Sequence, residues 1–403
     1  MNSVGIDVSK NKSTVAIMRP FGEVVTSPYE VNHNTEDFKR LANDILKLPG
    51  ETKVIMEYTG KYHQSIADFL QSKGIFVSLL HPKLVHDYGN RSIRRSKTDK
   101  KDAIKIANYG IDSWLTLKKY VPEDNIRQSL KSFNRQYHQY MKIKTSLKTN
   151  LVSLLDVSFP NINRVFTSSV RNDGHQKWID FANEFWHYKC VSNLTKTNFR
   201  KKYENWCKSH GYNFSISKSD EIYFLACQQT TPLPKNESTK NLIQIAISQL
   251  NSISKSLSDI SKCMQNLSSL LPEYSIVMNM VGVGDILGPQ LIAEIGDVRR
   301  FYHKQCLVAF AGIDAPPFQS GDFESKNRKI SKRGSPILRK TLYQVMSCIL
   351  KRSPEDNPIY KFLDKKRSEG KHYYVYMMAG ANKFLRIYYA KLTQYFKSLD
   401  NVS

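Results

Sequence analysis

The chain has 403 residues, 40% of them apolar, which is enough for two or three domains with their own buried cores. Sixty Lys and Arg against 36 Asp and Glu leave a formal charge of +24, which favours a polyphosphate partner over an inert or membrane-surface role, since each cation seated on a phosphate releases counterions. No apolar run reaches about 18 residues and the opening Met-Asn-Ser-Val-Gly-Ile-Asp has no basic or apolar signal region, so a cytosolic protein without a membrane partner is expected.

Residues 1 to about 115 alternate strand and helix signals. Val4–Val8, Lys12–Met18 and Glu23–Val31 read as strands, with Gly22 in the second turn. Asn34-Thr-Glu-Asp starts a helix carrying Phe38, Leu41, Ile45 and Leu46, and Pro49-Gly50 stops it. Val54–Glu57 is a further strand, Tyr62–Lys73 a helix ended by Gly74, and Ile75–Leu80 a strand ended by Pro82. Three early strands followed by alternation predict a mixed α/β sheet with covering helices.

From Ile126 the pattern changes. Ile126, Leu130, Phe133, Tyr137 and Tyr140 step by four and three, Leu147, Leu151 and Leu154 resume the register, and Leu250 to Leu271 repeats it. These are long helices, either paired as an antiparallel hairpin, paired with another protomer, or ordinary core helices. Between them, 157–235 is aromatic and polar and reads as an inserted subdomain. Met280-Val-Gly-Val-Gly284 is a glycine turn, a tight structural bend or a phosphate grip, followed by a helix over 286–295. Ile337–Leu350 is a strong helix, and Tyr360–Leu399 mixes basic and aromatic residues at helical spacing. The domains expected are therefore 1–120, 121–272 and 273–403. The six cysteines are scattered with no Cys-x-x-Cys pair, which suggests neither a zinc site nor a redox motif and predicts buried thiols in a reducing compartment.

Four acids stand out. Asp is depleted in strands, yet Asp7 lies within Val4–Val8, facing away from Ile6 and Val8. Glu57 ends the next central strand. If Lys97–Ala103 starts a helix, Asp99, Asp102, Ala103 and Ile106 share one face, away from Lys100, Lys101 and Lys105. Inward acids are costly without a cation, and Mg2+ (or Mn2+) is a hard ion that takes such ligands and serves phosphoryl transfer. The alternative is local: Asp99 as a cap and Asp102 paired to a nearby cation. Arg91, Arg94, Arg95 and Lys97 lead into the acids and could steer a phosphate backbone.

A second cluster follows Ala311-Gly-Ile-Asp. Ser320 precedes Gly321 on a loop after two prolines, and Arg328, Lys329, Lys332, Arg333 and Arg339 form a basic cradle for nucleic acid. On this chemistry alone Ser320, Ser331 and Ser335 all stay open as nucleophiles.

Together the clusters resemble the insertion-sequence transposases of the IS-one-ten type, the DEDD transposases that include the Piv-like invertases. The resemblance rests on Gly5-Ile-Asp7, Met56-Glu57-Tyr-Thr-Gly60, Lys97-Thr-Asp99-Lys-Lys-Asp102, Gly282-Val-Gly284, Ala293-Glu-Ile-Gly-Asp297, Phe310-Ala-Gly312, Gln319-Ser320-Gly321 and Ser331-Lys-Arg-Gly334, over about 1–115 and 274–395. It implies an α/β RuvC-like, RNase H-type N-terminal fold, coiled-coil helices and a mainly α C-terminal transposase domain. It implies Asp7, Glu57, Asp99 and Asp102 as metal ligands and Ser320 as the nucleophile of a covalent phosphoserine, its deprotonation assisted by the metal. Donor and target DNA, a structured guide RNA, and a homo-oligomer, dimer or tetramer, follow as partners. The oligomer would combine one protomer's acids with another's serine, in a bacterial or archaeal cell. The rival readings are a Holliday-junction nuclease using metal-activated water, with Ser320 structural, and a non-catalytic nucleic-acid-binding protein.

Overall fold

A computed structural model of the chain describes residues 1–58, 60–89, 98–167, 171, 174–317, 319–320, 323–324 and 328–400. Contacts divide it into two units, Met1–Pro122 and Glu123–Ser403.

The first unit runs β1 (Asn2–Val8), β2 (Lys12–Met18), β3 (Val24–Asn32), α1 (Thr35–Leu46), β4 (Thr52–Glu57), α2 (Tyr62–Ser72), β5 (Phe76–Leu80), α3 (Pro82–Gly89) and α4 (Asp99–Asp112). The sheet order is β3-β2-β1-β4-β5. β1 and β3 are antiparallel to β2, whereas β4 lies parallel to β1 and β5 parallel to β4. This is the mixed RNase H-type arrangement expected of this part of the chain. Val4, Ile6, Val54, Met56 and Val77 bury one face against Phe38 and Leu41 of α1 and Ile66 and Leu70 of α2. The other face of β1 carries Ser3 and Gly5 and is covered by α4. Ser3 Oγ donates 2.6 Å to the Ala107 carbonyl. A Cβ on Gly5 would lie 2.2 Å from the Ala103 oxygen, so only glycine lets this helix approach the strand so closely. Helix starts follow their caps: the Asn34 side chain accepts from the Asp37 amide at 2.7 Å, and Thr98 accepts from Lys101. Pro82 ends the strand as read, but it also opens α3, where its missing N–H costs nothing.

The second unit opens with α5 (Asn125–Asp156). It continues through α6 (Ile162–Val165), α7 (Lys177–Glu184), α8 (Lys189–Ser192), α9 (Lys196–Ser209) and α10 (Ile216–Cys227) to α11 (Glu237–Ser269). The two long helices pack antiparallel within one chain. Arg127, at the start of α5, pairs with Glu273, just beyond the end of α11, while Leu151 and Leu155 near the other end share a core with Ile243, Ile247 and Leu250. The intervening helices build their own aromatic core on Phe181, Phe185, Phe199, Tyr203 and Trp206, with Phe181 and Phe185 stacked at 4.5 Å. Beyond α11 come α12 (Tyr274–Met278), α13 (Leu287–Ile295), α14 (Lys304–Ala311), the hairpin β6 (Gln319–Ser320) and β7 (Phe323–Glu324), α15 (Pro336–Arg352), α16 (Pro358–Ser368) and α17 (Tyr373–Asp400). They surround a core that includes Leu291, Leu342, Val345, Phe384 and Tyr388.

Gly282 sits at φ 83°, and a Cβ there would meet Ile349 of α15 at 2.5 Å. That glycine is therefore a packed structural bend. The cysteine expectation needs correcting: only Cys207 is buried, and Cys227 and Cys263 are exposed. Among the described residues no helix is long and apolar enough to cross a membrane.

Candidate nucleic-acid-processing site

Register brings the first two acids together. Ile6 of β1 pairs with Met56 of β4, so the next residues, Asp7 and Glu57, end adjacent parallel strands and turn to the face opposite Ile6 and Met56. That is the α4 face. Along β1, Ser3 meets Ala107 and Gly5 meets Ala107 and Ala103, so each step up the strand corresponds to a step back toward the start of the helix. On β4, Ile55 sits against Gly110 of the same helix. Continuing the progression along β1, Asp7 is directed toward the first turn of α4, which holds Asp99 and Asp102, while Glu57, two residues beyond the Ile55–Gly110 contact, is directed to the same face further along the helix. The helix N-terminus is the positive end of its dipole, so it offsets part of the repulsion among the acids.

The four are not equivalent. Asp7, Glu57 and Asp102 are half-buried and Asp99 is exposed. The expectation that Asp99 lies on an inward face with Ala103 and Ile106 is corrected: Ala103 and Ile106 are buried, but Asp99, the first helical residue, is exposed. Nor does it cap the helix, because Thr98 does. Asp102 lies 3.9 Å from the Lys105 ammonium, which is the local pairing of the alternative reading. Lys12, at the start of β2, is held above its ordinary range first by its hydrogen bond to Glu30 and in smaller part by the charge of Asp99. Carboxylates are the right donors for a hard divalent ion. Yet among the described residues no three His, Cys, Asp or Glu side chains converge closely enough to hold one. Arg91, Arg94, Arg95 and Lys97 lie outside the described residues.

In the second unit, Ser320 stands in a two-residue strand rather than on an open loop, paired antiparallel with Phe323. Its side chain and Gly321 lie outside the described residues. The rival serines are committed elsewhere. Ser335 caps α15 by accepting from the Leu338 amide at 3.1 Å, and donates 2.8 Å to the buried Glu294. Ser331 donates to Asp314 and accepts from the Arg333 amide at 3.3 Å. The Ser331–Asp314 bond belongs to a zipper between 310–314 and 331–335, completed by Lys332 N to Gly312 O at 3.0 Å and Ser335 N to Phe310 O at 2.8 Å.

Arg328, Lys329, Lys332 and Arg333 are exposed. Arg339 is half-buried, and its Nη1 donates to the carbonyls of Ala311 and Gly334 at 3.0 and 3.4 Å, so it braces the zipper. Arg328, Lys329 and Lys332 face Lys383, Arg386 and Lys391 of α17 across an open cleft. The α17 cations were not singled out from the sequence. Their spacing of three and then five residues on one helix was the available signal.

Two family models match the chain: a DEDD transposase model of the IS110 group over residues 4–160, and the "Transposase IS116/IS110/IS902 family" over 274–361. The first match extends into α5. The pilin gene-inverting proteins of Moraxella lacunata and Moraxella bovis are each 29% identical over 126 residues. That alignment covers 31% of this chain and 39% of theirs, so the chain spans about two fifths of the length of these relatives. Two solved RuvC chains of Thermus thermophilus, one in complex with a Holliday junction substrate, align over 30% of this chain and 99–100% of their own, at 14% identity and a TM-score of 0.23.

Proposed function

The chain belongs to the IS110-type transposases, and on that premise we propose that it cuts and rejoins DNA, with Asp7, Glu57, Asp99 and Asp102 as its acidic centre and Ser320 as its nucleophile. One observation carries the reading. The Ile6–Met56 register and the seating of α4 on Gly5 direct Asp7, Glu57 and the first turn of α4 to one edge and one face of the sheet. Carboxylates directed to one face of the sheet in this way suit phosphoryl transfer assisted by a divalent ion.

In this reading the Ser320 hydroxyl loses its proton as its oxygen bonds to the phosphorus of a DNA phosphodiester. The bond to the departing deoxyribose oxygen breaks, and that oxygen gains a proton. A hydroxyl of the exchanged strand then reverses the step and frees the serine. One ester is exchanged for another, so no nucleotide triphosphate is consumed. A divalent cation, Mg2+ or Mn2+, supplies Lewis-acid stabilisation of phosphate charge when bound. The acids must draw closer than they stand here to hold it. The charge of +24 supports a nucleic-acid partner, and the family resemblance adds a structured guide RNA and a homo-oligomer to the proposal.

The test is a denaturation-resistant adduct. The full chain incubated with labelled donor DNA should form one, and Ser320→Ala should abolish it. Asp7→Ala and Glu57→Ala should lose cleavage while nucleic-acid binding persists. Cleavage without an adduct, or an adduct that survives Ser320→Ala, would remove the serine role.

A further inference from the structure

The cleft between the 328–332 segment and α17 has a volume of about 1360 Å³. Drug-sized ligands occupy about 300–1,000 Å³, so this open groove is scaled for a polymer. Its chemistry has two layers. Arg328, Lys329 and Lys332 on one wall, and Lys383, Arg386 and Lys391 on the other, form a cationic rim. No Asp or Glu is among the described residues that line it. The floor is apolar, with Ile313, Ile330, Met378, Ala379 and Ile387. At one end stands Tyr374, 61% exposed despite its size. Tyr343 backs its ring, near-parallel at 6.2 Å, and His372 lies 5.7 Å away.

A duplex keeps its base faces in the stack and offers such a groove phosphate, sugar and base edges, so it gains little from an apolar floor. An unpaired strand presents phosphates and base faces together, and the base faces are what an apolar floor and an exposed tyrosine accept. We propose that this cleft is a binding site for single-stranded DNA, with phosphates on the two cationic walls and a base stacked on Tyr374. The choice of DNA rests on the function proposed above.

The full-length protein is titrated by fluorescence anisotropy with a short labelled oligothymidylate, the matching duplex and an oligouridylate, across a salt series. Wild type should bind the single DNA strand more tightly than either alternative. Tyr374→Ala should weaken oligothymidylate by about ten-fold, as expected for one lost stack, with little change in salt slope. Arg386→Ala with Lys391→Ala should weaken it further and lower the slope of log affinity on log salt by about 1.4, two single-strand phosphates at about 0.7 each. Duplex affinity should move little in both variants, and circular dichroism should show both folded, as expected for exposed positions. Unchanged oligothymidylate binding overturns the proposal. Equal losses for strand and duplex reduce the cleft to a general phosphate surface and overturn it as well, and tighter oligouridylate binding overturns the choice of DNA. None of these outcomes touches the adduct assay on Ser320→Ala, so the cleft and the recombinase reading fail separately.

Discussion

Gly5 is where the fold of the first unit and its acidic centre meet. A Cβ at this position would stand 2.2 Å from the Ala103 oxygen, 2.4 Å from the Ala107 nitrogen and 2.9 Å from the Ala107 Cα, whereas ordinary contact begins near 3.4 Å. All three are backbone atoms, so no rotamer change can relieve the overlap. In Gly5→Ala, α4 must retreat by about 1 Å, and the 2.6 Å bond from Ser3 to Ala107 must stretch. Overpacking costs about 1–3 kcal/mol, and a backbone collision belongs at the upper end. About 3 kcal/mol corresponds to amide exchange faster by about a hundred-fold wherever exchange proceeds through opening of this helix. Hydrogen-exchange mass spectrometry on the full chain reads this in peptides of β1 and α4. Gly74→Ala is the control. Gly74 has φ 77° with nothing within 4 Å, so that change carries backbone strain of about 1–2 kcal/mol without collision. Because Asp99 and Asp102 ride on α4, DNA cleavage by Gly5→Ala should also fall, by as much as about a hundred-fold for a 1 Å displacement. Exchange in α4 no faster than in Gly74→Ala would refute the close-packing argument. Full cleavage despite faster exchange would detach the acids from the position of the helix.

The buried pair of Arg127 with Glu273 fastens the start of α5 to the end of α11, both side chains being almost fully covered. Arg127→Ala should destabilise the second unit by about 3–5 kcal/mol in urea unfolding, because a buried carboxylate is left unpaired, whereas Arg127→Met with Glu273→Leu should recover most of the loss. His138 is buried with its Nε2 unpartnered, and burial, then the nearby Lys340 and Lys142, push its pKa from 6.5 down to about 4. The folded pKa lies below the unfolded one, so this contribution to stability is complete above about pH 6.5 and disappears as pH falls toward 4. His138→Gln should flatten stability across that window in denaturation at stepped pH, and an unchanged slope would show that the imidazole is not the titrating group.

What the sequence disclosed depended on how local the determining contact was. The strands of the first unit were legible because Val4, Ile6 and Val8 alternate with Ser3, Gly5 and Asp7, and α1 was legible because Asn34 announces it. Both acids on strands were visible as misfits in apolar runs. Their convergence was not, because it follows from the Ile6–Met56 register and from the helix seated on Gly5, and neither contact is local. Asp99 misled for the same reason. Helical spacing gives it the azimuth of Ala103 and Ile106, but a residue at the first position of a helix is buried only if something lies beyond the sheet edge. The long helices showed their heptads, while the choice of pairing partner lies in contacts distant in sequence at both ends, Arg127 with Glu273 and Leu151 with Ile243 to Leu250. The region 157–235 gave no periodicity because α6 and α8 are single turns of four residues, too short to repeat a pattern, and its core is shared among helices from α5 to α11. The basic cleft was half-read. The cations of 328–333 form a run in sequence, whereas Lys383, Arg386 and Lys391 are spread over α17 and become a wall only opposite that run. A charge cluster is therefore visible in sequence when one segment carries it, and has to be found in the structure when two segments share it.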